Sequence, residues 1–271
     1  MSLVSTNWLE KNLNNVKILD CSWHMPNVER NAYDEYLGEH IPNAIFFDLD
    51  KNSDLNSDLP HMLPDKKTWG KNISTLGIKN EDRIIVYDNS DVISSCRCWY
   101  NFIYFGHNPK LISVLDGGIK KWKLEKKLIS NKKNNISKSN YQANEEKKLV
   151  KHKNEIQINI EKKDFLVIDA RSKERFEGKV PEPRKNVRSG SIKNSYCLPF
   201  EEMVNENHTF KNRDEIIYKF NNLVGPNNQK EIVFSCGSGI TAAVLALAYS
   251  LINNKYKPSI YDGSWAEYGK I

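Results

Sequence analysis

Short apolar runs alternate with segments of helical periodicity along the whole chain. Apolar runs bounded by polar or glycine turns predict strands, and the longer periodic segments predict helices. The predicted strands, some with an adjoining turn, are 16–21, 40–48, 83–88, 111–115, 165–170, 190–199, 231–234 and 259–264. The predicted helices are 8–13, 31–39, 65–76, 94–105, 214–220 and 241–251, with a further one around Trp122. Because strands alternate with helices in each half, the pattern predicts two α/β domains with mostly parallel sheets.

The two halves carry similar landmarks in the same order, which indicates a tandem duplication. The landmarks recur at a nearly constant spacing, with Asp169 matching Asp20, Phe234 matching Val86 and Asp262 matching Asp116. Residues 129–153 between the halves lose all periodicity and are rich in Lys, Asn and Ser. Such a segment buries too little apolar surface to offset its chain entropy. We therefore predict an N-terminal domain over 1–130, a linker over 131–153 and a C-terminal domain over 154–271.

The composition is that of a globular protein with a charged surface. The chain has 271 residues, 39% of them hydrophobic, and a net charge of +6, with a mean hydropathy of −0.63. The lysine runs at 120–133 and 147–153 lack the interleaved aromatic residues of a nucleic-acid site, so no nucleic-acid partner is expected. No apolar stretch is long enough to span a bilayer and the N-terminus lacks a signal-peptide pattern, so we expect no membrane partner and a cytoplasmic location.

The five cysteines lack the even number and spacing of a disulfide framework, so reduced thiols are expected. Cys96 and Cys98 form a pair without a second pair of ligands, so no metal site is expected. No cofactor is expected. The remaining candidate for chemistry among the thiols is Cys236.

Cys236 lies between a predicted buried strand and a predicted buried helix, in the turn Cys236-Gly237-Ser238-Gly239. Glycines permit positive φ and leave backbone N–H groups uncovered, and a helix N-terminus adds further N–H dipoles. A thiolate at this point is stabilised and is therefore more nucleophilic at neutral pH. The corresponding loop of the first half, 87–91, has neither the thiol nor the glycines, which predicts one catalytic loop per chain.

Several motifs, taken together, resemble the two-domain sulfurtransferases of the rhodanese superfamily, and most closely the 3-mercaptopyruvate sulfurtransferases. The first-half motifs are Leu19-Asp20-Cys21-Ser22-Trp23, His40-Ile41-Pro42-Asn43-Ala44, Phe47-Asp48-Leu49-Asp50, Leu59-Pro60-His61-Met62-Leu63-Pro64 and Leu115-Asp116-Gly117-Gly118. The second-half motifs are Asp169-Ala170-Arg171-Ser172, Pro181-Glu182-Pro183-Arg184, Cys236-Gly237-Ser238-Gly239-Ile240-Thr241 and Tyr261-Asp262-Gly263-Ser264-Trp265. The resemblance covers nearly the whole chain and implies tandem rhodanese-like domains, each a mostly parallel sheet flanked by helices.

The resemblance also implies a mechanism. Cys236 takes the outer sulfur of a small-molecule donor as a persulfide, which the backbone of Gly237, Gly239, Ile240 and Thr241 cradles. A thiol, such as a thioredoxin-type dithiol, or cyanide then removes the sulfur. Ser238, His61 and Asp50 match positions proposed in the family as a proton relay, and histidine has the appropriate chemistry because it titrates near neutral pH. Since His61 lies in the first half, the resemblance implies an active site at the interface of the two domains.

The loop sequence and nearby arginines bear on the identity of the donor. Thiosulfate-using members of the family usually carry basic residues inside the loop, whereas the loop from Gly237 to Thr241 is uncharged, which favours a donor bearing a carboxylate. Arg184 matches the family position that binds the carboxylate of mercaptopyruvate, for which a guanidinium fork is suited. Arg188, one helical turn further on, is a second candidate for this role.

Other functions remain to be weighed against this one. Ser191 and Lys193 depart from the turn that is usual in the family, and Lys193 adds a positive charge. Thiosulfate sulfurtransferase activity therefore stays open as a side or alternative activity. A cysteine phosphatase would need an arginine six residues after the nucleophile, where this chain has Ala242. A persulfide carrier module without turnover is disfavoured because the cysteine loop is intact, but it remains an alternative.

Overall fold

The computed structural model describes residues 2–271. Its strands are β1 Leu3–Val4, β2 Lys17–Asp20, β3 Ala44–Phe46, β4 Ile84–Tyr87, β5 Ile112–Leu115, β6 Val150–Lys151, β7 Phe165–Asp169, β8 Tyr196–Cys197, β9 Glu231–Ser235 and β10 Ser259–Tyr261. Its α-helices are α1 Thr6–Asn12, α2 Ala32–Gly38, α3 Lys66–Thr75, α4 Ser95–Tyr104, α5 Gly118–Leu124, α6 Lys153–Lys162, α7 Lys173–Phe176, α8 Arg213–Val224, α9 Ile240–Ile252 and α10 Ser264–Tyr268. Two short 3₁₀ helices cover Lys147–Leu149 and Phe200–Met203.

Two five-stranded sheets have the same topology. The strand order is β1-β5-β4-β2-β3 in the first and β6-β10-β9-β7-β8 in the second. Every neighbouring pair of strands is parallel. Each strand of one half therefore has a counterpart at the same sheet position in the other half. The predicted α/β class with parallel sheets is confirmed, and the shared topology is what a duplicated domain produces.

The central strands are apolar runs buried on both faces, as expected in parallel sheets covered by helices. All four residues of β4 are buried, and so are the last four of β9. The helix after β9, α9, is buried on nearly all sides because its residues from Ile240 to Ala248 are small or apolar apart from Thr241. This places the Cys236 loop, 236–239, between two rigid elements.

The residues separate into two compact units that do not follow a single cut in the sequence. One unit comprises the residues before Ser57, Leu63–Glu146 and Glu206–Thr209, and the other comprises Ser57–Met62, Lys147–Asn205 and Phe210–Ile271. A division near residue 130 would assign the short segment Ser57–Met62 to the first unit. In the structure it belongs to the second, and it carries His61 there.

Much of the predicted linker is ordered against the first unit. The N–H groups of Ser139, Asn144 and Glu146 donate to the carbonyls of Ser74, Phe105 and Tyr104, at 3.0, 3.0 and 2.8 Å. These carbonyls lie at the C-terminal ends of α3 and α4, where helix carbonyls lack partners within the helix. The segment thus has no helix or strand of its own between 131 and 146, yet its backbone completes the ends of two helices. Among residues 2–271, no helix combines the length and apolar character needed to cross a membrane.

Candidate active site

The Cys236 loop is hydrogen-bonded to the first turn of α10. The N–H of Cys236 donates to Ser264 Oγ at 3.2 Å. The carbonyls of Cys236 and Gly237 accept from the N–H groups of Trp265 and Ala266, both at 2.9 Å. Ser264 is fully buried and its hydroxyl donates to the carbonyl of Tyr261. These bonds use the inward-facing polar groups of the loop and hold its backbone in place.

The Cys236 sulfur receives a backbone N–H of the same loop. The N–H of Gly239 donates to Cys236 Sγ at 3.1 Å. Gly239 has a φ of +81° and is the N-terminal cap of α9, so the glycine predicted to adopt positive φ is required at this position. The first N–H groups of a helix, here those of Ile240 and Thr241, have no acceptor within the helix. Cys236 is only 2% exposed, and its sulfur therefore lies at the base of the loop beside a donor and a helix N-terminus.

Gly237 is required for a different reason. Its φ is not positive, contrary to the expectation that both glycines serve the backbone turn. A Cβ at this position would lie 3.2 Å from Arg175 Nη2 and 3.3 Å from Arg184 Nη1. Two guanidinium groups thus lie against the loop where its side chain is missing. The positive charge absent from the loop sequence is supplied by Arg175 and Arg184.

Arg184 is placed as the sequence suggested, next to the Cys236 loop. Its Nη2 donates to Ser238 Oγ at 3.1 Å. Burial lowers the pKa of the Arg184 guanidinium from its usual value, and the charge of the neighbouring Cys236 thiolate is the largest opposing influence on that pKa. Arg184 therefore lies against the Cys236 loop and is bonded to the hydroxyl of Ser238.

Ser238 and His61 form a hydrogen-bonded pair, although 177 positions separate them in the sequence. His61 Nδ1 lies 2.9 Å from Ser238 Oγ, and both residues are buried. A hydroxyl can donate one hydrogen bond and accept two, so the pair can hold a proton on either partner while Arg184 donates to the same oxygen. His61 has a φ of +61°, a strained conformation for a residue other than glycine. Such a conformation persists where the surroundings impose it. A part for His61 in the chemistry stays a prediction.

Arg175 was not singled out by the sequence. It lies in α7, a helix of four residues, and Glu182 Oε2 accepts from its Nη2 at 2.6 Å. Arg188, the second arginine proposed from the sequence, has its guanidinium over the rings of Trp265 at 4.7 Å and Tyr268 at 5.8 Å. Position along the chain does not distinguish Arg175 from Arg188, because one precedes and the other follows the Pro-Glu-Pro-Arg motif. A role for Arg188 in donor binding stays a prediction to which the contacts of its side chain add no support.

Asp50 has a defined partner in the first unit. Its two carboxylate oxygens accept from Trp23 Nε1 at 3.2 and 3.1 Å. This fixes the orientation of the carboxylate within that unit. Its place in a proton relay stays a prediction.

Three of the other cysteines lie where burial disfavours the thiolate form. All five are free thiols. Burial raises the pKa of Cys21 and Cys96 well above the usual value, and that of Cys197 to about 12. These three thiols are therefore protonated at neutral pH and poor nucleophiles. Among residues 2–271, no group of three or more His, Cys, Asp or Glu side chains is arranged to hold a metal ion.

Two rhodanese modules account for nearly the whole chain. The family described as "Rhodanese-like domain" matches residues 5–125 and again residues 152–270. The chain belongs to this family. It is 37% identical over 289 residues to thiosulfate/3-mercaptopyruvate sulfurtransferase 1, mitochondrial, of Arabidopsis thaliana, with 98% of this chain and 75% of that protein covered. It is 34% identical over 275 residues to human 3-mercaptopyruvate sulfurtransferase, covering 98% and 91%.

The same fold has been seen in a solved structure. The crystal structure of SseA from Escherichia coli, described as a 3-mercaptopyruvate sulfotransferase, superimposes with a TM-score of 0.85 at 31% identity. The match covers 98% of this chain and 99% of SseA. The tandem rhodanese-like architecture inferred from the motifs is therefore confirmed.

Proposed function

We propose that this chain is an enzyme that transfers sulfur from 3-mercaptopyruvate, through a persulfide on Cys236, to a thiol or cyanide. The names of its relatives support the sulfurtransferase class that the motifs predicted. The observation that carries the proposal is the arrangement around the loop: an N–H on the sulfur of Cys236 and two guanidinium groups against Gly237. This combination offers a stabilised thiolate next to a binding site for a carboxylate.

The first half-reaction moves one sulfur atom. The Cys236 thiolate attacks the sulfur of 3-mercaptopyruvate, a sulfur–sulfur bond forms, and the carbon–sulfur bond of the donor breaks. The electron pair of that bond goes to carbon as the enolate of pyruvate, which takes up a proton. The proton of the donor thiol is released in exchange, so the products are pyruvate and a Cys236 persulfide anion. The Gly239 N–H and the N-terminus of α9 stabilise negative charge on the sulfur throughout.

Ser238 and His61 are suited to carry that proton. Their mutual hydrogen bond of 2.9 Å allows either partner to hold it. Asp50, the third residue of the predicted relay, is hydrogen-bonded to Trp23 within the first unit, and its part in proton transfer stays a prediction.

Arg184 and Arg175 are proposed to bind the carboxylate of the donor. Guanidinium groups form paired hydrogen bonds with a planar carboxylate. Arg184 also donates to Ser238, so binding of the donor and the position of the relay are coupled. The backbone of Gly237, Gly239, Ile240 and Thr241 cradles the persulfide.

In the second half-reaction, the acceptor thiolate or cyanide attacks the outer sulfur of the persulfide. The sulfur–sulfur bond breaks and its electron pair returns to Cys236 as the thiolate. A thioredoxin-type dithiol is the proposed physiological acceptor because its second thiol can resolve the product as a disulfide and release sulfide. The proposed compartment is the cytoplasm, since the five unpaired thiols suit a reducing environment.

Intact-mass measurement tests the persulfide. Incubation with 3-mercaptopyruvate, without reductant, should add one sulfur atom to the wild type and to the control Cys197→Ser, but none to Cys236→Ser. Circular dichroism should show that both variants are folded. A wild type that gains no sulfur, or a Cys236→Ser variant that does, would overturn the proposal. Loading that requires a second protein would instead identify a carrier module.

Thiosulfate is the second candidate donor. The two guanidinium groups against Gly237 place positive charge at the loop, and the sulfite released from thiosulfate is a dianion. The uncharged loop sequence favours mercaptopyruvate, whereas these arginines also suit thiosulfate. Steady-state kinetics with both donors decides: a kcat/KM higher for thiosulfate than for 3-mercaptopyruvate would reverse the order of the two candidates.

A further inference from the structure

Glu182, in the Pro-Glu-Pro-Arg motif, shares one buried carboxylate between two arginines. Its side chain is 2% exposed. Oε1 accepts from Arg171 Nη1 at 2.8 Å and from Arg175 Nε at 3.2 Å. Oε2 accepts from Arg175 Nη2 at 2.6 Å. Glu182 therefore holds one edge of the Arg175 guanidinium by two hydrogen bonds.

Arg171, in the core, fixes the position of the Glu182 carboxylate. The Arg171 side chain is fully buried and donates to Asp169 Oδ2 at 2.7 Å and to the carbonyl of Gly190 at 2.8 Å. It also stacks over the ring of Trp265 at 4.5 Å. Since Arg171 has several partners in the core, the carboxylate of Glu182 cannot move without breaking a buried ion pair. The position of Arg175 is consequently set by Glu182 rather than the reverse.

Arg175 and Arg184 carry like charges close to the same point. The two nitrogens lie 3.2 and 3.3 Å from the place where a Gly237 Cβ would be. Burial is the main cause of the lowered pKa of Arg184; the charge of Arg175 lowers this pKa further, and the charge of Glu182 opposes the change. The Arg175 side chain is 23% exposed, so without a partner it would move towards solvent and away from the loop.

We propose that Glu182 is a positioning residue that holds Arg175 against the Cys236 loop, so that Arg175 and Arg184 together receive the carboxylate of the donor. The inference rests on the proposed function in taking the donor to be a carboxylate. It adds that the selection of such donors depends on a buried acid that does not touch them.

A comparison of the rates at which two alkylating agents modify Cys236 gives a direct test. The Cys236 thiolate displaces iodide from iodoacetate and from iodoacetamide, which differ in having a carboxylate or a neutral amide. If Glu182 positions Arg175, Glu182→Gln should lower the ratio of the two rate constants, iodoacetate over iodoacetamide, by about tenfold, as expected for the loss of a charge-assisted hydrogen bond. If Glu182 acted only through its charge, removing it would make the site more positive and raise the ratio. A raised or unchanged ratio overturns the proposal.

A matched control and a double-mutant cycle separate positioning from general damage. Glu177→Gln removes an exposed carboxylate paired with Lys179 in the same segment, and it should leave the ratio unchanged. In an Arg175→Gln background, Glu182→Gln should lower the ratio no further, because neighbouring residues that act together are not additive. An additional loss in that background would show that Glu182 acts by another route.

A second variant keeps the test decisive if Glu182→Gln does not accumulate as folded protein. Arg175→Lys keeps the charge but cannot occupy both oxygens of Glu182 with a fixed fork. It should lower the iodoacetate preference as well, and an unchanged preference overturns the proposal. In folded Glu182→Gln, the KM for 3-mercaptopyruvate should rise more than kcat falls. Alkylation needs no turnover, so the two proposals can fail separately. If the wild type does not use 3-mercaptopyruvate but Glu182→Gln lowers the ratio of the alkylation rate constants, the proposed function is refuted and the role of Glu182 is not.

Discussion

The two glycines of the Cys236 loop should respond differently to alanine, and the pair tests how the loop works. Gly239 has a φ of +81° and donates its N–H to the sulfur. Gly237 does not have positive φ but lies against Arg175 and Arg184. Gly239→Ala therefore perturbs the backbone and the thiolate, whereas Gly237→Ala perturbs the donor site.

The expected sizes follow from these contacts. An alanine in the left-handed region costs about 1–2 kcal/mol, partly offset by about 0.4–1 kcal/mol from the reduced entropy of the unfolded chain. If the loop relaxes to escape that strain, the N–H leaves Cys236 Sγ. A hydrogen bond to a charged group is worth about 1.5–3 kcal/mol. Its loss disfavours the ionised form of the cysteine, and alkylation slows by about tenfold to a hundredfold because the thiolate is the reacting species. For Gly237→Ala, the ends of two flexible side chains need to move by only a few tenths of an ångström.

Three measurements distinguish the two variants. Gly239→Ala should lower the free energy of unfolding by about 1 kcal/mol and slow alkylation of Cys236 by iodoacetamide. Gly237→Ala should leave stability and iodoacetamide alkylation almost unchanged while raising the KM for 3-mercaptopyruvate several-fold. Equal effects of the two substitutions on iodoacetamide alkylation would refute this division of roles. So would a Gly239→Ala variant that matches the wild type in both stability and alkylation.

Three further predictions concern binding, proton transfer and pH. Arg184→Ala should raise the KM for 3-mercaptopyruvate about tenfold to a hundredfold; an unchanged KM in steady-state kinetics would remove Arg184 from the donor site. His61→Gln should lower kcat about a hundredfold, as for a lost acid–base group, with alkylation of Cys236 by iodoacetamide preserved; a kcat near wild type contradicts the relay. Burial raises the pKa of Asp20 to about 6, so the folded state retains a proton that the unfolded state loses near pH 4. The tighter proton binding stabilises the folded state by at most about 3 kcal/mol, for a pKa difference of about two units. This stabilisation is fully present below pH 4 and is lost as the pH rises through 6. In urea titrations at a series of pH values, Asp20→Asn should flatten the dependence of the unfolding free energy on pH, and the exposed control Asp164→Asn should not. An unaltered pH dependence in Asp20→Asn contradicts the raised pKa of Asp20.

Asp20 also illustrates how the duplicated halves have diverged. Asp169, its counterpart in the second half, is paired with Arg171. Asp20 instead accepts from the N–H and hydroxyl of Ser22, the residue that corresponds to Arg171. The first half, which has no counterpart of Cys236, therefore also lacks the cation on which the Glu182 network depends.

The sequence was sufficient for whatever depends on neighbours along the chain. The alternation of apolar runs and periodic segments predicted eight of the ten strands and seven of the ten α-helices that the structure has within residues 2–271. The two-residue edge strands β1 and β6 and the helices α6, α7 and α10 were not predicted. The repeated landmarks predicted two similar sheets. The strand β9, the glycine turn and the buried helix α9 could be predicted because each is encoded within a few residues. Even so, the sequence assigned the wrong reason to Gly237, since a turn and a close approach both favour glycine.

What only the tertiary structure decided is which distant side chains meet at this loop. Arg175 lies against Gly237 because Glu182 holds it there, and Glu182 is itself held by Arg171 in the core. His61 meets Ser238 across 177 positions because its short segment belongs to the second unit. Long flexible side chains take their positions from partners in space, and no local propensity or periodicity encodes those partners. The sequence determined which cysteine lies in a glycine turn before a helix, and the packing around it determined which charged side chains lie beside that cysteine.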